Sequence, residues 1–142
     1  MDVALLIHGG ATWAMVGVLI MVQTVAYPAM ALVPPEAFRR YERAHQRSMG
    51  RALAVIAPVE AATALWLIVA PGATPLWMPL AGGAILAGLW LMTATVFVPI
   101  HATLGSGFDA PLQQRLIALN WIRTIGWIIR GLIATTMVAA AL

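Results

Sequence analysis

Four long apolar stretches, separated by short breaks rich in proline and glycine, limit what this chain can fold into. They cover about residues 3–32, 52–69, 76–100 and 116–142. A helix needs ~20 apolar residues to cross the hydrocarbon core of a bilayer, because that core is about 30 Å thick. Four such spans with short loops use up a chain of 142 residues. The pattern predicts a single domain over residues 1–142, an all-α integral membrane four-helix bundle.

The composition agrees with this prediction and limits the kinds of active site that the chain can form. Hydrophobic residues make up 62% of the chain and charged residues 9%, whereas about a quarter of a soluble domain is charged. There is no cysteine and no lysine, so thiolate chemistry, cysteine-based metal sites and Schiff bases are excluded. The first stretch lacks the basic n-region of a cleaved signal peptide, so it is predicted to be a retained span. No nucleotide-binding fingerprint and no internal repeat are evident.

The one strongly polar segment, residues 36–51, carries an arginine every fourth position from Arg39 to Arg51. This spacing places a basic ridge along one side of a helix. No helix breaker follows before the second span, so a long amphipathic helix is predicted to lead into it, with a kink near Pro58. Because the basic residues flank spans, lipid headgroups are the expected partner, and nucleic acid is not.

The distribution of arginine also predicts an orientation. The first loop holds five arginines, the second holds none, and the third contributes Arg115. Positively charged loops stay on the cytoplasmic side. The first and third loops and the amphipathic helix are therefore predicted to be cytoplasmic and both termini outside, in the inner membrane of a bacterium.

The fourth apolar stretch carries two arginines, and a charge at bilayer depth needs a protein or water environment and a partner. One acidic residue at matching depth, Glu60, predicts an ion pair with Arg123 or Arg130. The pair has two interpretations: a lock on helix register, or a carboxylate that moves protons. Polar and aromatic residues share the arginine-bearing stretch, and they predict a substrate-binding surface: Asn120, Trp121, Arg123, Thr124, Trp127 and Arg130.

The histidines raise the question of a metal. His45, His101 and Glu60 together are the donor set of a two-histidine, one-carboxylate site for iron or copper. No pair among these three residues has the HxxH or ExxH spacing that marks such sites. The alternative interpretation makes His45 a headgroup-facing residue and His101 an interfacial cap. The sequence therefore demands no cofactor, and Glu60 and His101 remain candidate catalytic bases without a metal.

Two segments resemble a known family. VPIHATLGSGFD, at residues 98–109, and LNWIRT, at residues 119–124, are similar to the third-to-fourth helix region of the anthrone oxygenase-like family. AYPAMALVPPEAF, at residues 26–38, is similar as well. Members are small four-helix membrane proteins, and His101 stands where the family more often has asparagine. The resemblance implies oxygen-dependent oxidation of a flat phenolic or quinone-like molecule.

Two functional hypotheses follow. The first is a membrane-embedded oxidoreductase or oxygenase acting on a lipophilic aromatic molecule, with Arg123 and Asn120 holding the substrate oxygen. Glu60 or His101 then acts as the base. The second is a non-catalytic membrane subunit or lipid- or ligand-binding protein, in which the network of Glu60 and the arginines is structural. Glycine-lined helix surfaces permit a homo-oligomer or a place in a larger complex.

Overall fold

The computed structural model describes residues 3–142, and within them the chain is helical with no strand. The four helices are α1 (Val3–Met30), α2 (Pro35–Val69), α3 (Trp77–Leu104) and α4 (Ala110–Ala140). Each is long and apolar enough to cross a membrane. This confirms the all-α, four-helix prediction. The segment of residues 36–51 continues into the second span as one helix, α2, which runs through Pro58 without interruption.

Neighbouring helices are antiparallel, so the bundle has two distinct ends. The terminal end holds residue 3, the 70–76 loop and the last residues of α4. The arginine-rich end holds the loops at 31–34 and 105–109 and the exposed arginines at the start of α2. Asp109 fixes the beginning of α4 at this end, because its carboxylate accepts a hydrogen bond of 2.8 Å from the Leu112 amide.

α1 and α3 each contain one π-helical turn, at Val22–Ala26 and Thr93–Phe97. Both turns lie just before a proline, Pro28 or Pro99. Proline has no backbone N–H to donate, and its ring crowds the preceding turn of the helix. The amide before each proline therefore donates five residues back, to Val22 or Thr93. A shared Thr-Val-x-x-Pro sequence underlies both turns. This short repeat was not recognised in the sequence, because its flanking residues differ.

An apolar layer crosses the middle of the bundle. It contains buried side chains from all four helices: Met15, Val16, Leu19, Ala64, Leu86, Leu89 and Trp127. Most buried polar side chains lie on either side of this layer, one group toward each end. The fold thus creates two separate polar sites, each enclosed by apolar helix faces.

Candidate functional site

Arg130 is the centre of the polar site toward the terminal end. Its guanidinium forms a salt bridge with Glu60 of α2 and donates to the backbone oxygen of Gly82 on α3. Thr12 of α1 donates a hydrogen bond of 3.4 Å to the same carboxylate oxygen. Side chains of α1, α2 and α4 and a backbone oxygen of α3 therefore meet at one ion pair. The predicted pairing of Glu60 with an arginine is confirmed, and the partner is Arg130.

The surroundings of this ion pair leave no room for a substrate. Glu60 is fully buried and Arg130 is 2% exposed. The adjoining cavity has a volume of about 10 Å³, roughly the space of one water molecule. His8 lines it and is bonded through Nδ1 to the Thr63 hydroxyl at 3.1 Å. This closed geometry favours the interpretation of Glu60 and Arg130 as a structural lock.

A much larger cavity lies toward the arginine-rich end. Its volume is about 280 Å³, near the lower end of the range of about 300–1,000 Å³ for small-molecule sites. Apolar residues of α1, α2 and α3 form most of its wall, including residues of both π-helical turns, which are frequent at functional sites. Its polar side chains come from all four helices: Tyr27, His45, Gln46, Thr93, His101 and Arg123.

A chain of hydrogen bonds leads from this cavity to a buried carboxylate. The Tyr27 hydroxyl lies 3.0 Å from His101 Nε2, and His101 Nδ1 lies 2.7 Å from Glu42 Oε1. A carboxylate accepts, so we assign the Nδ1 proton of His101 to this bond. Nε2 is then free to accept from the Tyr27 hydroxyl. Gln46 holds the carboxylate by donating a hydrogen bond of 2.9 Å to the same oxygen.

His45 completes the aromatic wall beside this chain. Its ring stacks on Tyr41 at 6.2 Å and on His101 at 5.8 Å between ring centroids, and it lies 6.2 Å from the ring of Tyr27. It is half-buried and lines the cavity. The imidazole is therefore held in place by ring contacts and faces the space that a ligand would fill.

Arg123 supplies the positive charge of the cavity. Its guanidinium lies over the Phe97 ring, 4.1 Å from the centroid, and next to the Tyr27 side chain. Among residues 3–142, Glu42 is hydrogen-bonded to His101 and Glu60 forms a salt bridge with Arg130, so Arg123 faces the cavity without a carboxylate. Its buried Nε has no hydrogen-bond partner within that part of the chain. Such a site attracts a ligand with an anionic or strongly accepting oxygen.

The other predicted substrate-binding residues do not line this cavity. Asn120 and Thr124 are buried, and Asn120 donates a hydrogen bond of 2.8 Å to Gln23 Oε1. Trp127 belongs to the central apolar layer, and Trp121 is 50% exposed on the outside of α4. The side chain of every third or fourth residue faces the interior, and Trp121 falls between those positions. Of the six predicted residues, the structure brings Arg123 alone into the cavity.

The predicted metal site is not assembled. His45 and His101 are neighbours, but Glu60 is bonded to Arg130 on the far side of the apolar layer. Across the part of the chain that the structure describes, no three His, Asp or Glu side chains are arranged to hold a metal ion. The prediction was wrong about Glu60, because a spacing of fifteen residues aligns two side chains on one helix face without bringing them to one depth.

Sequence analysis missed three members of the site: Tyr27, Glu42 and Gln46. Tyr27 lies near the end of the first apolar stretch, where an aromatic residue is usual at the membrane interface. Glu42 was hidden among arginines, although it lies three residues before His45 and therefore on the same helix face. That spacing was the available signal for a buried carboxylate beside the histidines.

We compared the chain with protein-family models, curated proteins and solved structures. No family model matches the chain, and no curated protein or solved structure matches it.

Proposed function

We propose that this protein is a membrane-embedded oxidoreductase or oxygenase-like enzyme acting on a lipophilic aromatic molecule, phenolic or quinone-like. The observation that carries the proposal is the chain of Tyr27, His101 and Glu42 that ends at a largely apolar cavity containing Arg123. Perturbed or paired titratable groups at the wall of an apolar pocket are the usual arrangement of an acid–base site.

Each residue has a role in proton removal. Arg123 holds the substrate oxygen and stabilises the negative charge that develops on it. His101 accepts the proton at Nε2, directly or through the Tyr27 hydroxyl, and Glu42 stabilises the resulting imidazolium. His101 thus keeps the role of base that was predicted from the sequence. Glu42, and not Glu60, is the carboxylate that supports it.

Oxidation then needs dioxygen as the electron acceptor. Loss of a proton from the activated CH₂ carbon of an anthrone-type ketone leaves a carbanion whose charge is delocalised onto the oxygen beside Arg123. Dioxygen bonds to that carbon, takes two electrons and one proton, and gives a hydroperoxide. Its O–O bond then breaks as the carbon loses its second hydrogen, which leaves C=O and water, so dioxygen accepts four electrons in all. The net change converts CH₂ plus O₂ into C=O plus H₂O. This reaction is what the resemblance to the anthrone oxygenase-like family implies.

The setting of the reaction is part of the proposal. The arginine-rich end lies at the cytoplasmic side, with both termini outside, since arginines in short loops remain in the cytoplasm. The first half of α2 is then a cytoplasmic amphipathic helix whose exposed Arg40, Arg43 and Arg47 meet lipid headgroups. The membrane is the inner membrane of a bacterium.

A second candidate function is a non-catalytic membrane subunit or ligand-binding protein. The closed pair of Glu60 and Arg130 favours it, since one of the two polar sites is structural. In that case the cavity binds its lipophilic ligand without changing it. The protein then works as a homo-oligomer or as a subunit of a larger membrane complex.

Ligand binding through Arg123 can be tested with a matched pair of variants. We expect Arg123→Gln to weaken binding of a lipophilic phenol by roughly tenfold to a hundredfold, since a charge-assisted hydrogen bond contributes ~1.5–3 kcal/mol. Arg115→Gln removes an exposed arginine of the same helix and leaves binding unchanged. The measurement is calorimetry in nanodiscs. Equal binding by the two variants contradicts the assignment of Arg123.

Turnover separates the two functions. Purified protein in nanodiscs is incubated with anthrone in air, and oxygen uptake is followed together with the absorbance of the anthraquinone. We expect protein-dependent uptake of one O₂ per quinone formed. Binding of anthrone without uptake rejects the enzyme in favour of the binding protein. Elemental analysis for iron and copper on the same sample tests for the metal that the sequence left open.

A further inference from the structure

The mouth of the large cavity lies between α2 and α3. Among its lining residues, those with exposed side chains or backbone are Gln46 and Gly50 of α2 and Val98 of α3, which is 58% exposed. The lining residues of α1 and α4 are buried or half-buried. A molecule therefore reaches the cavity by passing between α2 and α3.

The depth of this mouth can be estimated from helix lengths. Counting ~20 residues back from Val69 along α2 reaches Gly50, and the same count forward from Trp77 along α3 reaches the neighbourhood of Val98. Exposed Arg47 and Arg51 flank Gly50, and arginines of this kind mark the level where headgroups begin. The mouth thus lies where the hydrocarbon core meets the headgroups.

The cavity itself has a polar half and an apolar half. Tyr27, His45 and His101 lie toward the arginine-rich end, close to headgroup depth. The remaining wall extends toward the bilayer centre and is built of apolar side chains such as Leu19 and Leu53. This is the orientation of a lipid amphiphile, whose polar group lies at the interface and whose chain lies in the core.

We infer that the cavity is loaded laterally from the bilayer, between α2 and α3, by an amphiphile with one acidic oxygen and an alkyl chain. Such a molecule keeps its head at one depth while it moves sideways to Arg123, so the head never crosses the hydrocarbon core. The inference rests on the proposed function, because it takes the same cavity as the substrate site. It adds an alkyl chain to the phenolic or anthrone-type substrate of that function, and it adds the route by which this substrate enters.

The chain has no cysteine, so single nitroxide labels can report the surroundings of the mouth. Gly50→Cys and Val98→Cys place labels at the mouth. Gly88→Cys in the middle of α3 and Gly107→Cys in the 105–109 loop serve as lipid and water references. A Cβ atom added at Gly50, Gly88 or Gly107 meets no atom within 4 Å, so the substitutions to cysteine cause no clash at the backbone.

Collision rates with oxygen and with a water-soluble nickel complex are then measured in phosphatidylcholine nanodiscs. We expect both mouth labels to resemble Gly88→Cys, with oxygen collisions exceeding nickel collisions. Mouth labels that resemble Gly107→Cys would show a cavity open to water and overturn lateral loading.

A second pair of variants tests passage of the ligand. Gly50→Trp fills the mouth, and Gly88→Trp adds the same ring elsewhere on the exposed surface. With 4-dodecylphenol as the probe, we expect binding to weaken about tenfold or more in Gly50→Trp and to stay within about twofold in Gly88→Trp. Equal binding by the two variants, or no binding by the unmodified protein, overturns the inference.

The outcomes keep the two proposals apart. Dodecylphenol that binds and is blocked by Gly50→Trp, in a protein that consumes no oxygen, supports lateral loading and rejects the enzyme. Oxygen consumption by a protein whose mouth labels resemble Gly107→Cys supports the enzyme and rejects lateral loading.

Discussion

Glu60→Gln is expected to destabilise the bundle by about 3–5 kcal/mol, because it leaves the Arg130 guanidinium buried without its counter-charge. Arg130 is 2% exposed and its ion pair joins α2 to α4, while its bond to Gly82 reaches α3. The apolar layer on one side and a cavity the size of one water on the other leave no solvent to replace the carboxylate. The measurement is the free energy of unfolding by SDS titration in mixed micelles.

A matched control and a double variant separate charge from packing. Glu36→Gln removes an exposed carboxylate at the beginning of the same helix, and we expect no change beyond about 0.5 kcal/mol. The combination Glu60→Leu with Arg130→Met replaces both charges by apolar groups of similar volume. It is expected to recover most of the lost stability, because the cost lies in the unpaired charge. A double variant as unstable as Glu60→Gln would argue instead for a packing role.

The helices could be predicted from the sequence because each is determined by local properties. Apolar length defines the spans, prolines begin α2 and end the preceding loop, and Asp109 caps α4. A salt bridge between Glu60 and an arginine of α4 could also be predicted, since a buried charge needs a partner and the chain has only five acidic residues. The choice between Arg123 and Arg130 could not, because it depends on how far each helix is displaced along its neighbour.

The cavity was harder to predict for a related reason. The hydrogen-bond chain at its polar wall joins Tyr27, His101 and Glu42, which come from three helices and share no sequence spacing. Their meeting depends on where α2 begins and on the two π-helical turns, which change the helical phase before Pro28 and Pro99. Periodicity along α2 gives the helix face of a residue and not its depth, so it placed Glu60 with the histidines and left Glu42 among the exposed arginines.

Glu42→Gln is expected to lower kcat for anthrone oxidation by about 10²–10⁴-fold while binding of the substrate changes little, since this is the usual contribution of a positioned general base system. The amide keeps the shape of the side chain and its contact with Gln46, but it cannot stabilise a protonated His101. Tyr27→Phe removes the hydroxyl at the other end of the chain. A smaller loss is expected if His101 takes the proton directly, and an equal loss if the proton passes through Tyr27.

Tyr41→Phe provides the control for the tyrosine variant. Tyr41 stacks on His45 beside the same cavity, but its hydroxyl takes no part in the chain of hydrogen bonds from Tyr27 to Glu42. Its kcat should stay within about twofold of the unmodified protein. Full activity in Glu42→Gln would show that His101 needs no carboxylate partner. Loss of anthrone binding in that variant would instead assign Glu42 to holding the cavity open, because a base that acts only in proton transfer affects kcat and leaves ground-state binding in place.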